Sequence, residues 1–308
     1  MTQFLHPYVA ICTALLSSYA LADDNNDIYQ SIQLGVTQQS QLFEFNDTSN
    51  SSTRLRVWGS RAQYQIGKGP WNLIVDYHQG EASDNDSNNT QSYTLDFETK
   101  SYSGFIEYYL ENIWLAIGFN NSEDTTNYRF NTDRSLPDNE QDNFRDFSQV
   151  VYRSTTFEGG YIHYTQSGQF AVTGGISQQQ VEEEIQHTEL INNNGQSSFS
   201  KIDEDGILTS LTLSYGHFFP LSQSFQLALN AGLRRDITLS GDGRIQQSSR
   251  NQTPSSEEMQ STSQSASTSQ QAQVSLQHQQ GNISLNVDKL SDQSFAHSYF
   301  SAALSIYF

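Results

Sequence analysis

The sequence predicts an all-β protein, a transmembrane antiparallel up-and-down β-barrel of about 12 strands (about 10–14). Three observations predict it: alternation in the last ten residues, a polar chain rich in aromatic residues, and segments paired through short turns. Residues 299–308 alternate apolar with small or polar side chains. Because successive side chains of a strand point to opposite faces, one face of this segment is apolar. That face carries Phe300, Ala302, Leu304, Ile306 and Phe308.

The composition is that of a membrane barrel. Only 35% of the 308 residues are hydrophobic, yet 12% are aromatic, with 18 Phe, 16 Tyr and 3 Trp. A disordered chain carries few aromatic residues, whereas a membrane barrel interleaves lipid-facing apolar residues with polar ones that face the lumen. No stretch after residue 22 is long and apolar enough for a spanning helix, which leaves a closed barrel. The formal net charge of −19 argues against nucleic acid as a partner, because its phosphates would be repelled.

The amino terminus has the features of a signal peptide. Residues 1–22 contain no Asp, Glu, Lys or Arg, residues 9–16 are largely apolar, and Ala20-Leu21-Ala22 supplies a cleavage pattern. An uncleaved anchor is the alternative, but the apolar run is shorter than the roughly 20 residues of a spanning helix. We expect a signal peptide over 1–22 and the barrel over 23–308. The only cysteine, Cys12, lies in the segment to be removed, so we expect no disulfide and no thiolate metal site.

Short turns join most of the predicted strands into pairs. In the first turn, 67–70, two glycines are free to adopt positive φ, and a proline precedes the next strand. Further short turns lie at 110–112, 165–169, 220–223 and 279–282. The predicted strands, an even number as bacterial barrels require, cover residues 28–37, 54–66, 71–79, 92–110, 113–121, 147–164, 170–178, 206–218, 225–236, 271–278, 283–289 and 298–308.

The remaining connections are mostly long and polar, which is typical of the outer side of a membrane barrel. They are 38–53, 80–91, 122–146, 179–205, 237–270 and 290–297. Within them, the Ser/Gln-rich segment 246–273 predicts a mobile outer loop. The acidic run 182–184 has two interpretations, a solvated charged surface or a site for divalent cations against lipopolysaccharide.

Aromatic residues cluster beside the short turns, which indicates an interfacial girdle at the level of the lipid headgroups. The alternative is the core of a soluble β-sandwich. The girdle residues are Tyr64, Trp71, Tyr108, Tyr109, Trp114, Tyr164, Phe170, Phe218, Phe219 and Phe225.

Charged side chains fall on the faces opposite the apolar ones and are predicted to face the lumen. Buried unpaired charges are costly, so these groups either pair across the lumen or meet water. For strand 147–164 the sequence does not show which residues face the lumen and which face lipid. Arg153 and Glu158 are therefore not assigned to either face. The lumen-facing candidates are Arg61, Asp76, His78, Glu107, Arg234 and Asp288.

Asp76 and His78, two residues apart on one predicted face, suggest a hydrolase. The pair is loosely similar to the acid and His groups that outer-membrane proteases place at the barrel rim. A second acidic pair should stand opposite, and none is identifiable in the sequence. The seven His residues have no metal-ligand spacing. We therefore expect a protein that is not an enzyme and has no metal and no cofactor.

The whole mature chain resembles Gram-negative outer-membrane β-barrel proteins, chiefly through the carboxy-terminal alternation that ends on Phe308. Its strand number is similar to that of autotransporter translocator barrels. It departs from them because only residues 23–27 precede the first strand, so it looks like a solitary, passenger-less barrel of that type. The resemblance implies location in the cell outer membrane, contact with its lipid and lipopolysaccharide, and recognition of the carboxy-terminal strand by the barrel-assembly machinery. It leaves the oligomeric state open.

Two functions remain in view. The polar lumen face favours a passive, porin-like pore for small hydrophilic solutes. The long acidic and Ser/Gln-rich outer segments favour a structural or surface-interaction barrel with a plugged lumen. The rim hydrolase is a third, weaker hypothesis.

Overall fold

The computed structural model describes residues 28–44, 52–87, 91–132, 143–191, 194–249, 252–261, 265–290 and 298–307. These residues form thirteen β-strands. The strands are β1 (Ile28–Glu44), β2 (Ser52–Lys68), β3 (Trp71–Ser87), β4 (Gln91–Leu110), β5 (Ile113–Thr132), β6 (Asn143–Tyr164), β7 (Gly168–Ile191), β8 (Asn194–Pro220), β9 (Phe225–Ser249), β10 (Gln252–Ser261), β11 (Ser265–His278), β12 (Gly281–Leu290) and β13 (Ser298–Tyr307).

The strands close into an antiparallel barrel. Each strand pairs with the next along the chain from β1 to β9, and β1 closes the barrel against β13, with Leu34 opposite Leu304. Both β10 and β11 pair with β9, with Ser261 opposite Gly241 and Ser265 opposite Thr238. β10 and β11 therefore lie end to end beside β9 and together take the place of one strand, so the barrel has twelve strand positions. The predicted fold class is confirmed. In the described part of the chain, no helix is long and apolar enough to cross a membrane.

The turn between β2 and β3 shows how a short connection is built. Gly69 adopts a φ of 55°, in the left-handed region that favours glycine. The carbonyl of Pro70 accepts a hydrogen bond from the amide of Tyr109 at 2.9 Å. This turn is therefore tied to the end of the neighbouring β4.

Side chains near the short turns alternate between an exposed apolar face and a buried polar face. On β3, Trp71, Leu73, Val75 and Tyr77 are exposed, whereas the intervening side chains are buried. In a membrane barrel the exposed apolar face contacts lipid. We call the belt of these residues the apolar band; on β5 it runs from Ile113 to Phe119.

The strands extend far beyond this band, so the lengths predicted for the polar connections are wrong. β8 has 27 residues, or about 90 Å of strand, whereas the apolar band of a barrel is only about 25 Å tall. By contrast, β12 and β13 have 10 residues each. The wall therefore projects unevenly beyond the membrane, and furthest at β6–β9.

The Ser/Gln-rich segment 246–273 is also corrected. It was predicted as a loop, but its described residues form the end of β9, all of β10 and part of β11. Its backbone groups pair in a ladder with β9, so a polar composition did not prevent strand formation. The predicted connection 290–297 lies almost wholly outside the described residues.

Four members of the predicted aromatic girdle lie on the inward face instead: Tyr109, Trp114, Tyr164, which is opposite the buried Gln169, and Phe218, which is opposite the buried Ala228. Trp114 is 2% exposed and packs with Ala116, Ile162 and Ala171 inside the barrel near the short turns. Gly160 lies opposite Trp114, and a Cβ at this glycine would fall on the indole nitrogen. The glycine therefore makes room for the ring, and Tyr109 packs against the same cluster. By contrast, the outward-facing rings of Trp71 and Tyr108 lie 4.6 Å apart, as a girdle requires.

Candidate functional site

The lumen wall formed by β2 and β3 carries a buried ion pair. Arg61 Nε donates a hydrogen bond to Asp76 Oδ2 at 2.6 Å, and the two side chains are 11% and 7% exposed. Arg61 Nη2 also donates to Gln63 Oε1 at 3.2 Å. Gln63 and Asp76 lie directly opposite each other on the two strands. Pairing removes the cost that either charge would have if buried alone.

His78 does not form a dyad with Asp76. Its Nε2 lies 2.8 Å from Thr37 Oγ1, while the Asp76 carboxylate is held by Arg61. Arg61 stands directly opposite His78 on the neighbouring strand. The two candidates for hydrolysis therefore have separate hydrogen-bond partners.

Glu107 is held on the same side of the lumen, closer to the short turns. It lies opposite Asn72, whose Nδ2 donates to Glu107 Oε2 at 2.6 Å. The Tyr109 hydroxyl donates to the same oxygen at 3.0 Å. Glu107 is therefore fixed by neutral donors.

The opposite wall of the lumen carries a second ion pair, on β9. Arg234 Nε donates to both carboxylate oxygens of Asp236, at 2.9 and 3.2 Å. Glu158, which the sequence left unassigned, faces inward on β6 within electrostatic reach of Arg234. Arg153 faces outward and pairs with Glu182 at 2.7 Å. Asp288 belongs to β12, but its side chain lies outside the described residues.

The two sides of the lumen differ in exposure. On β1–β5 the inward-facing polar side chains of the band are buried; they include Ser31, Gln63, Gln65, Asn72, Ser101, Ser103 and Glu107. On β6–β11 many are half-buried, namely Thr156, Glu158, Ser210, Ser214, Asn230, Arg234, Gln271 and Gln273. Others on these strands are buried, among them Thr212, Asp236 and Ser275, but inward-facing polar side chains are more often accessible on this side of the lumen.

Beyond the band, the inward-facing sides of β1–β9 enclose a space that we call the vestibule. One part of its wall is an apolar cluster of buried residues: Phe43, Leu55, Val57, Leu95, Phe97 and Tyr128. Ala82, Tyr93, Phe130 and Phe144 pack against this cluster. The sequence interpretation missed the cluster because it assigned several of these residues to loops.

The two faces of the wall in this region differ in their basic residues. The inward-facing acids, which we call the vestibule acids, are Asp84, Asp86, Asp124, Asp146, Glu183, Glu189 and Glu204. None of the vestibule side chains that the structure describes is Lys or Arg. The described basic side chains beyond the band face outward: Arg56, Lys100, Arg129, Arg145, Arg153, Lys201 and Arg244.

Two vestibule acids are deeply buried. Burial, with a smaller contribution from the nearby Glu204 charge, raises the pKa of Glu183 from its ordinary 4.5 to about 7. Burial likewise raises the pKa of Asp124 from 3.8 to about 6, although a hydrogen bond from Thr99 opposes the shift. Glu183 Oε1 and Asp124 Oδ1 have no hydrogen-bond partner within the described part of the chain.

His187 and two acids, all half-exposed, lie at the outer rim of the vestibule. His187 Nδ1 is 2.5 Å from Asp146 Oδ1, and its Nε2 is 3.5 Å from Glu189 Oε1. The Phe144 ring packs against the imidazole, with centroids 5.6 Å apart. Nothing in the sequence pattern marked Asp146 and His187 as neighbours, because they are 41 residues apart.

The acidic run 182–184 is split by the alternation of β7. Glu182 and Glu184 face outward, where Lys201 approaches them at 4.0 and 3.9 Å, while Glu183 faces inward. In the described residues, no group of three His, Cys, Asp or Glu side chains could hold a metal ion. The outward acids therefore form part of a mixed charged surface.

No family model matches the sequence, and no curated protein matches it. Solved structures do match the fold. The translocator domain of the autotransporter NalP from Neisseria meningitidis is similar, with a TM-score of 0.57 and 11% identity, covering 93% of this chain and 90% of that chain. The β-domain of the Bordetella autotransporter BrkA is also similar, with a TM-score of 0.53 and 10% identity, covering 92% of this chain and 100% of that chain. The likeness shows the fold, an antiparallel β-barrel similar to autotransporter barrels, as the sequence resemblance predicted.

Proposed function

We propose that this outer-membrane barrel is a passive pore for small hydrophilic solutes. The observation that carries the proposal is the half-buried polar lining of β6–β11 at the level of the apolar band. Polar side chains in contact with water inside a membrane barrel line a path that a hydrophilic solute can follow without losing its hydrogen bonds. The lining consists mainly of Ser, Thr, Asn and Gln, which suits neutral solutes.

The charges at this level support weak ion preference. Arg61 is paired with Asp76, and Arg234 with Asp236, at hydrogen-bonding distance. Opposite charges so close together leave little net field along the path. Glu107 and Glu158 add negative charge, so a modest preference for cations follows.

The path is narrow because inward-facing side chains fill the other side of the barrel. Trp114 and Ile162 pack together near the short turns, and the apolar cluster fills part of the vestibule. A twelve-strand barrel also lies between the sizes whose interior is packed and those that hold a wide channel. The proposed pore therefore passes small solutes only.

The test uses single cysteines in a Cys12→Ser background. Ser210 faces the lumen half-buried on β8, and the adjacent Leu211 is 51% exposed on the lipid face. Modification of Ser210→Cys by a charged, water-soluble thiol reagent is expected to lower the single-channel conductance in a planar bilayer. Leu211→Cys, one residue away, is the matched control and should not change. If both variants conduct normally after the reagent, the path is not where we place it.

A second candidate, a surface-interaction barrel, is favoured by the projection of β6–β9 beyond the band. Deleting the Ser/Gln-rich residues 246–270 would remove the end of β9, all of β10 and part of β11 and disturb the wall. A better deletion removes 187–198 and joins Gln186 to Phe199, which are paired across β7 and β8. Loss of cell-surface adhesion with normal conductance would favour this second function. Altered conductance alone would favour the pore.

A further inference from the structure

We propose that the vestibule wall formed by β5–β8 binds a small organic polycation, of the linear polyamine class. The site comprises Asp124, Tyr152, Glu183 and Glu204, all on the inward face beyond the apolar band. It lies outside the lumen lining on which the pore proposal rests. It can therefore bind a ligand whether or not the barrel conducts.

The strand register brings these side chains together. Asp124 on β5 is opposite Val150 on β6, and Val150 is opposite Glu183 on β7. The two carboxylates therefore stand at one level, two strand spacings or about 10 Å apart along the wall. Glu204 follows on β8, two residues from Ile202, the partner of Glu183. The result is a row of three acids on one continuous surface.

The buried oxygens of this row lack donors. Asp124 is 9% exposed and Glu183 is 7% exposed, and each has one oxygen without a hydrogen-bond partner among the described residues. Leaving a buried acceptor without a donor destabilises the folded protein. The described part of the vestibule presents no Lys or Arg inward, so no cationic side chain among these residues donates to the two oxygens, and a cationic ligand would supply that donor.

The spacing selects the kind of cation. A divalent metal needs several oxygen ligands within about 2.6 Å of one point, whereas Asp124 and Glu183 are separated by a strand, and the described residues contain no metal-binding group. A linear chain with several ammonium groups can meet separate carboxylates in turn. Tyr152 lies inward on the intervening β6, where its ring can face an ammonium group.

The electrostatics of the vestibule favour entry of such a ligand. Asp146 and Glu189 lie further out on the same wall, so a cation meets negative charge from the rim inward. A cleft lined by one sign of charge concentrates ions of the opposite sign. Glu204 is exposed within the vestibule, and it would be the first of the three acids to meet the cation.

Calorimetric titration of the folded full-length chain in detergent with spermidine tests the proposal at pH 8. We expect saturable binding by the wild type and about a tenfold loss of affinity in Glu183→Gln, because a charge-assisted hydrogen bond is lost. The matched control is Glu184→Gln, the same change one residue along β7 on the outward face, and it should bind like the wild type. If Glu183→Gln does not fold, Asp124→Asn takes its place with the same expectation.

Two results would overturn the proposal. One is the absence of saturable heat with the wild type. The other is an equal loss in Glu183→Gln and Glu184→Gln, which would show attraction to the overall negative charge. Conductance is not measured in this experiment, so a failure here leaves the pore proposal standing, and failure of the pore leaves this site standing.

Discussion

Glu183 and Glu184 are consecutive residues of β7, and the barrel wall separates their carboxylates. Glu183 is 7% exposed inside the vestibule, whereas Glu184 lies on the outer face, 3.9 Å from Lys201. The same chemical group therefore has two environments within one strand. Over the described part of the projecting wall, the inward face carries acids without Lys or Arg, whereas the outward face carries charges of both signs.

The buried carboxyl of Glu183 should make stability depend on pH. Its pKa is about 7 in the folded chain and 4.5 ordinarily, so between these values the folded protein holds a proton that the unfolded chain has released. The free energy of unfolding therefore falls as pH rises through this window, by up to about 3 kcal/mol. Glu183→Gln should lose this part of the dependence and be more stable than the wild type at pH 8 but not at pH 4.5. Urea unfolding at both pH values measures the free energy of unfolding of the two proteins. The same pH dependence in both proteins would contradict the prediction.

The Arg61–Asp76 pair should matter more to stability than an exposed pair. Arg61→Ala leaves the Asp76 charge buried without its partner and should cost about 3–5 kcal/mol. Lys100→Ala is the control. Lys100 and Glu98 form an ion pair at 2.7 Å, but both side chains are about half exposed, so losing this pair should cost less than about 1 kcal/mol. Urea unfolding of the barrel in lipid vesicles gives both values. Equal costs would mean that the lumen pair is solvated.

The apolar cluster should hold the projecting strands together. Leu95 is fully buried in it, so Leu95→Ala should destabilise the projecting wall by about 2–5 kcal/mol. The neighbouring Thr94 is exposed on the other face of β4, and Thr94→Ala should have little effect. Limited proteolysis of the folded protein in vesicles reports on this region. Equal protection of the two variants would show that the cluster does not stabilise the wall.

The carboxy-terminal strand should be needed for assembly. Leu304 and Ile306 are 48% and 44% exposed on the lipid face of β13. The side chain of Phe300 and the whole of Phe308 lie outside the described residues, and Ala302 is half-buried. Deleting Phe308 should reduce the amount of heat-modifiable, folded barrel in the outer membrane several-fold without changing synthesis. Normal levels of folded protein would remove the role that the sequence resemblance gives this residue.

The sequence predicted the part of the barrel that lies in lipid. Near the short turns, large apolar residues alternate with polar ones, as Leu73 and Val75 do with Asn72 and Asp76, and the contrast fixes both the strand and its phase. Beyond the band both faces are largely polar, so this contrast fades and the strands were predicted as loops. On β4 the contrast persists, because Leu95 and Phe97 alternate with Thr94, Asp96 and Glu98, and there the predicted strand 92–110 matches the observed one.

Side-chain partners could not be predicted in the same way. Alternation placed Arg61, Asp76 and His78 on one face, but only the strand register decides that Asp76 meets Arg61 and that His78 meets Thr37, 41 residues away. The vestibule acids were missed for a related reason. The phase of β6 was ambiguous in the sequence, and Asp124 and Glu183 share a level only through Val150 on that strand.

Conductance of the refolded wild-type protein in a planar lipid bilayer tests the central claim most directly. The account predicts small, stable, stepwise openings with a modest preference for cations. Most lumen charges are paired, and Glu107 and Glu158 supply the excess negative charge. A correctly folded, heat-modifiable barrel that never conducts would contradict the pore.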